Sequence, residues 1–320
     1  MKKLLIWLLT ISLSVLSASV QAELKTDQTT QLNQRFGEGL FWSISKAGEH
    51  VGYLFGTLHS NDMRVTDLKE PVRTALLSAE NFCIETFPGV RYFSPNSGFR
   101  SIVKDMMLEN DQRLDELVDA ETYQSLRTKL SMNGFKDERI EKLKPWAAMH
   151  ALSGIYRSEE KPDKDSRINQ VMLDHMLFQM AIDNSATPYQ LETLEELMAA
   201  YYAFPIDAQV ALLKDRVEHL NDLPVVAEAM INSYLEEDLS NMLSLATLFI
   251  SQASADKGYK KTYLKHVLYI RNIVMAHYML APLRRKNTFI AIGALHLYGK
   301  EGVLSLLEGY GYRVERVSMT

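Results

Sequence analysis

Two apolar runs that end in one shared phrase constrain this chain more than any other feature. Tyr53-Leu54-Phe55-Gly56-Thr57-Leu58-His59 stands near the start, and Ile290-Ala291-Ile292-Gly293-Ala294-Leu295-His296 near the end. A short apolar run closed by glycine reads as a buried strand entering a turn. Both histidines then fall just past strand ends, the edge at which many α/β sheets bind ligands. Segments from opposite ends of the chain can thus deliver two imidazoles to one site. The phrase is too short to indicate duplication of a larger unit.

The rest of the chain supplies a setting for these strands. Residues 41–45 and 51–58 read as a hairpin joined through Lys46-Ala47-Gly48-Glu49-His50. Residues 68–79 follow as a helix, with Asp67 as a cap and Pro71 in its first turn. Residues 81–86 form the next strand, closed by Pro88-Gly89. Strand, helix and strand predict a parallel crossover. Apolar residues then recur at helical spacing over 111–130, 137–155 and 168–182, with a charged loop at 157–165. A short strand is predicted at 187–192, then helices over 201–220, 224–234, 239–253 and 261–283. Order becomes mixed again with a strand at 288–292, a helix at 302–309 and a strand at 312–317. The expected fold is α/β: a central mixed sheet made by the N- and C-terminal segments, with a helical insertion over about 105–285. Residues 23–320 make one domain in this reading.

The first residues lie outside that domain. Lys2 and Lys3 precede a largely apolar stretch, 4–16, and the small-residue site Val20-Gln21-Ala22. This is the pattern of a secretory signal peptide over residues 1–22, and its apolar core is short for a membrane span. Export is expected, with the periplasm of a Gram-negative bacterium as the destination. The formal charge is −5 before the two lysines are removed, and no basic tract stands out, so nucleic acid is not an expected partner. The single cysteine, Cys83, lies in an apolar run and reads as packing. An exported chain without disulfides suits a bacterial periplasm.

Charged residues inside apolar segments mark the candidate site. Glu85 follows Phe82-Cys83-Ile84, and Glu192 follows Tyr189-Gln190-Leu191. A carboxylate at a buried strand end is costly unless paired, hydrogen-bonded or bound to a metal. His59, Glu85, Glu192 and His296 could therefore meet at one sheet edge, a set that suits Zn, Mn, Co or Fe. The alternatives are a histidine bonding its own turn, and glutamates serving as caps or ion-pair partners. Arg271-Asn272 sits amid Val267, Leu268, Ile270, Ile273 and Val274. Arg271 is either half of a structural ion pair or a fork that orients a carboxylate or binds an oxyanion. No His-Glu-x-x-His, Gly-x-Ser-x-Gly or phosphate-loop pattern is present.

In order, Tyr53 to Ser60, the strand ending at Glu85, Leu143-Lys144-Pro145-Trp146, Leu191-Glu192-Thr193, Arg271-Asn272, residues 291–297 and Gly309-Tyr310-Gly311-Tyr312 resemble the TraB/GumN family, related in pattern to the Tiki metalloproteases. The resemblance implies an erythromycin-esterase/ChaN-like fold and two Gly-x-x-His motifs, Gly56/His59 and Gly293/His296, with Glu85 at the active site. It matches Arg271 to an arginine of the late helix, with Asn272 beside it, and Glu192 to a recurrent segment. One departure is Tyr234-Leu235-Glu236-Glu237-Asp238-Leu239, where such proteins often carry Trp and Gly-Asp. The leading expectation is an exported metal-dependent hydrolase of peptide or protein substrates. His59 and His296 bind the metal, Glu85 is a further ligand or the general base, and Arg271 orients Glu85 or stabilises an oxyanion. Two other readings are a haem- or ligand-binding protein without turnover, and a regulator that sequesters a peptide or protein.

Overall fold

The computed structural model describes residues 35–87, 105–156 and 171–320. The expected signal peptide, the Pro88-Gly89 turn and the 157–165 loop lie outside the described residues. Strand β1 spans Phe41–Lys46 and β2 spans Glu49–Thr57. Only Ala47 and Gly48 separate them, with φ of 52° and 84°. Positive φ at both turn residues matches the right-handed twist of a tight hairpin. The remaining strands are β3 (Asn81–Ile84), β4 (Thr187–Gln190), β5 (Thr288–Gly293) and β6 (Arg313–Arg316).

These strands form one mixed sheet in the order β4-β3-β5-β2-β1-β6. β4, β3, β5 and β2 run parallel, and β1 is antiparallel to both β2 and β6. The α/β class read from the sequence holds, with two refinements. β2 and β3 are parallel as expected, but they do not touch, because β5 enters between them. The termini also do not build the sheet alone. β4 comes from the helical stretch and forms an edge, where the missing N–H of Pro188 is tolerable.

Apolar side chains on both faces fix this sheet. Leu54, Phe82, Phe289, Ile290 and Ile292 are fully buried, and the Phe82 and Phe289 rings stack at 6.2 Å. Continuous apolar strands of this kind are expected where helices cover both faces. A second core, with Leu114, Leu126, Leu130, Trp146 and Leu213, holds part of the helical stretch together.

Helix boundaries depart from the periodicity for local reasons. Helix Ala120–Met132 starts at Asp119, whose side chain accepts from Thr122 N, so the predicted 111–130 helix is broken. The predicted 137–155 helix likewise splits into Asp137–Ile140 and Pro145–Tyr156. Asp67 does not cap the helix Glu70–Leu77; it closes the preceding turn, Met63–Thr66, and Lys69 precedes the helix without a side-chain capping bond. The late helix is in three parts, Tyr259–Leu264, a π turn at Lys265–Tyr269, and Ile270–Arg285. Glu237 has a φ of 59°, the left-handed conformation that glycine adopts freely. Its carboxylate Oε2 accepts from Leu40 N and from Arg316 Nη2, both at 3.1 Å. Asp238 then caps the helix Leu239–Thr247. The departure from the Gly-Asp pattern thus falls on a chain reversal that braces the start of β1.

Candidate functional site

The carboxyl ends of four parallel strands lie along one edge of the sheet, and the residues after them supply the site. His59 follows β2, Glu85 follows β3, Glu192 follows β4 and His296 follows β5. His59, Glu85, Arg271, Gly293 and His296 line one cavity of about 750 Å³. Glu192 lies behind Arg271 and is 1% exposed.

The two copies of the shared phrase are adjacent but not equivalent. Thr57 pairs with Gly293 and Gly56 with Ile292, so the copies are one residue out of step. Side chains alternate between sheet faces, so matching residues of the two copies point to opposite sides. The chain after Thr57 has no regular structure, whereas Gly293 leads into a 3-10 turn, Ala294–His296. The two histidines therefore reach the cavity by different routes. His296 is 4% exposed, while the His59 side chain is 50% exposed.

Each imidazole has an acceptor behind it. Asn272 Nδ2 donates to the Glu301 carbonyl at 2.7 Å, which turns its Oδ1 toward His296 Nδ1 at 2.6 Å. An amide oxygen only accepts, so Nδ1 carries the proton and Nε2 the lone pair. His59 Nδ1 lies 2.7 Å from Asp174 Oδ2, and the other oxygen of Asp174 accepts from Thr57 Oγ1 at 2.6 Å. When neutral, the His59 ring likewise carries its lone pair on Nε2. Burial pulls the His296 pKa down to about 3, and the Arg271 and His59 charges add to this against Glu85. His296 is neutral at ordinary pH.

Arg271 joins the two carboxylates. Its Nε donates to Glu192 Oε2 at 2.8 Å and its Nη2 to Glu192 Oε1 at 2.5 Å. Nη2 also donates to Glu85 Oε2 at 2.7 Å, and Nη1 to the Val267 carbonyl at 3.1 Å. Gly293 N–H donates to Glu85 Oε1 at 2.6 Å, and His296 Nε2 is 3.7 Å from the same oxygen. Burial opposes ionisation of Glu85, but His296, Arg271, His59 and the Gly293 amide together hold its pKa below the usual carboxylate range. Burial dominates at Glu192 and raises its pKa, although Arg271 opposes the shift.

The structure thus brings His59, Glu85, Arg271, Gly293 and His296 together and places Glu192 and Asn272 directly behind them. Gly56 does not line the cavity. A Cβ there would stand 3.1 Å from Ala294 Cα and 3.1 Å from Leu40 Cδ2, so this glycine permits the close approach of β2 to the second copy. A Cβ on Gly293 would meet Glu85 Oε1 at 3.1 Å, so its bareness serves the site itself. Asp174 escapes sequence reasoning. It lies in the first turn of helix Leu173–Asp183, where an acidic residue is ordinary, and only its burial reveals it. Cys83 is buried in β3 as expected.

The donors fit a divalent ion in kind: two imidazoles with Nε2 lone pairs, each oriented by an outer acceptor, and a carboxylate kept ionised. Among the described residues, no group of three or more His, Cys, Asp or Glu side chains is close enough to hold a metal ion as it stands. His59 and His296, with Glu85 beside His296, are the residues that could take part. No helix among the described residues is long and apolar enough to cross a membrane.

The molecule is thus an α/β protein with a histidine, glutamate and arginine cluster at the carboxyl edge of a mixed sheet. The chain belongs to the TraB/PrgY/gumN family, whose model matches residues 40–316. Neither the curated proteins nor the solved structures contain a significant match.

Proposed function

We propose that the protein is an exported hydrolase that holds a divalent ion, Mn, Co, Zn or Fe, and cleaves peptide bonds. One observation carries the reading: both cavity histidines have Nδ1 tied to an acceptor, which puts the Nε2 lone pairs at the disposal of a ligand beside an ionised Glu85. His59 and His296 would hold the ion, with Glu85 contributing its charge. When bound, such an ion supplies Lewis acidity toward a substrate carbonyl. The depressed pKa of Glu85 makes it a weak proton acceptor near neutral pH, so a fixed negative charge suits it better than general-base work. Three of the contacts Arg271 makes go to Glu85 and Glu192, so it positions Glu85 rather than receiving a substrate oxyanion. The start of the sequence, with its signal-peptide pattern, supports export to the periplasm.

The test is metal content after equilibration with each ion and removal of excess. Wild type is expected to retain metal, and the His59→Ala/His296→Ala double variant to lose it with an unchanged circular dichroism spectrum. Equal, near-zero metal in both overturns the reading. A second reading, a binding protein without turnover, draws on the apolar cavity walls, among them Trp146, Met198, Leu223 and Met242. A visible haem band that disappears with either histidine variant would favour it.

A further inference from the structure

We infer that Asp174 is the positioning residue of His59: its carboxylate fixes the Nδ1–H tautomer and aims Nε2 into the cavity, so that the site comprises a pair of unlike histidine supports. The inference rests on the reading of His59 as a metal ligand only for its consequence, not for its geometry.

Asp174 is 7% exposed, and a buried carboxylate persists only if its oxygens are satisfied. Both are: Oδ1 accepts from Thr57 Oγ1 at 2.6 Å and Oδ2 from His59 Nδ1 at 2.7 Å. Thr57 is the last residue of β2, and the helix bearing Asp174 is tied to the chain after β2 by Leu173 N donating to Ser60 O at 3.0 Å. Helix and strand end are therefore locked on either side of His59. This matters because the segment after Thr57 has no regular structure of its own, and half of the His59 side chain is exposed. Asp174 gives Nδ1 a buried, charged acceptor, and its removal would loosen both the rotation and the tautomer of the ring. His296 needs no such support, since burial and a neutral amide, Asn272, already hold it. A carboxylate behind a ligating imidazole raises its basicity, whereas an amide only orients it. The exposed histidine thus has the stronger support and the buried one the weaker.

Two measurements test this on the full chain. The first is the nitrogen spectrum of His59 in metal-free protein at alkaline pH, where the ring is neutral. Wild type is expected to show Nδ1 protonated, and Asp174→Ala to change to Nε2 protonated. Wild type already protonated at Nε2 overturns the inference, whatever becomes of the metal reading. The second is cobalt affinity by calorimetry. Asp174→Asn keeps an acceptor and the shape but loses the charge, and is expected to weaken binding by about 10- to 100-fold. Thr57→Val, which removes one support of Asp174 only, is expected to weaken it less. Wild-type affinity in Asp174→Asn, where His59→Ala does weaken binding, overturns the inference. Cobalt binding lost from wild type itself would instead sink the metal reading and leave the tautomer result standing. Thermal melts confirm that each variant is folded.

Discussion

Replacing Arg271 with methionine is expected to cost about 3–5 kcal/mol of folding stability, the range for breaking a buried ion pair from one side. Three charge-assisted bonds disappear, at 2.8, 2.5 and 2.7 Å. They leave Glu192, 1% exposed, and Glu85, 9% exposed, without their cation. A charge pair at about 4 Å is worth about 4 kcal/mol at an effective dielectric of about 20. Methionine regains part of this, because its stem needs no desolvation. The expected loss is a large part of the about 5–15 kcal/mol that holds an ordinary domain together. The sign of the pH dependence follows. Orphaned buried carboxylates acquire raised pKa values, so the variant is penalised above the unfolded carboxylate pKa and relieved as pH falls and they protonate. Wild-type Glu85, with its depressed pKa, loses stability once pH falls below the unfolded carboxylate value, and wild-type Glu192, whose pKa burial already raises, offsets only part of that loss. The gap between the two proteins should therefore narrow toward low pH. Urea unfolding followed by circular dichroism at several pH values measures it, and adding Glu192→Gln to the variant should restore part of the loss. A cost below about 1 kcal/mol, the level of an exposed ion pair, or a gap that widens on acidification, would mean that Arg271 does not hold the two carboxylates as a buried ion pair.

Other outcomes follow from the same geometry. Because the His296 pKa is pulled down to about 3, the unfolded chain takes up a proton there from pH 6.5 downward while the native state does not. Wild-type stability should fall by up to about 1.4 kcal/mol per pH unit more steeply than that of His296→Gln between pH 6.5 and 4.5, as seen in parallel urea titrations. Gly56→Ala should lower stability by about 1–3 kcal/mol through overpacking against Ala294 and Leu40, with little effect on the metal affinity of the protein that remains folded. Gly293→Ala should do the reverse, disturbing Glu85 and His296 and weakening metal binding more than stability, as calorimetry and melting together would tell. Glu237→Gly relaxes the backbone but loses the bonds to Leu40 and Arg316, so denaturation should show a net change of no more than about 1 kcal/mol.

What the sequence made legible was chiefly the parallel half of the sheet and the charged residues at its edge. Apolar runs ending in glycine marked β2 and β5, and a carboxylate directly after an apolar run marked Glu85 and Glu192. Arg271 stood out for the same reason, as a charge among apolar neighbours. Strand order was not legible, because nothing in a strand's composition tells which neighbour it will pair with, and β5 lies between strands far earlier in the chain. The helix breaks at Asp119 and Pro145 were written in capping chemistry but were hidden within longer apolar periodicity. Asp174 and the π turn were invisible for a deeper reason. A first-turn aspartate is ordinary, and a widened turn has the composition of the helix around it.

That π turn sets the direction in which two parts of the site face. Val267 and Leu268, on the cavity wall, fall within Lys265–Tyr269, and Arg271 and Asn272 follow it at once. A π turn absorbs one residue more than regular α-helical winding would, and such turns often occur at functional sites. Winding the same number of residues as regular α-helix would rotate one side against the other by about 100°. Either the cavity wall or the arginine that holds Glu85 could then keep its direction, but not both. Removing one residue from 265–269 should straighten the winding with both sides still facing as they do, whereas adding one should turn the cavity wall away from Arg271. The spacing of this stretch, which no individual side chain records, belongs to the site as much as the histidines do.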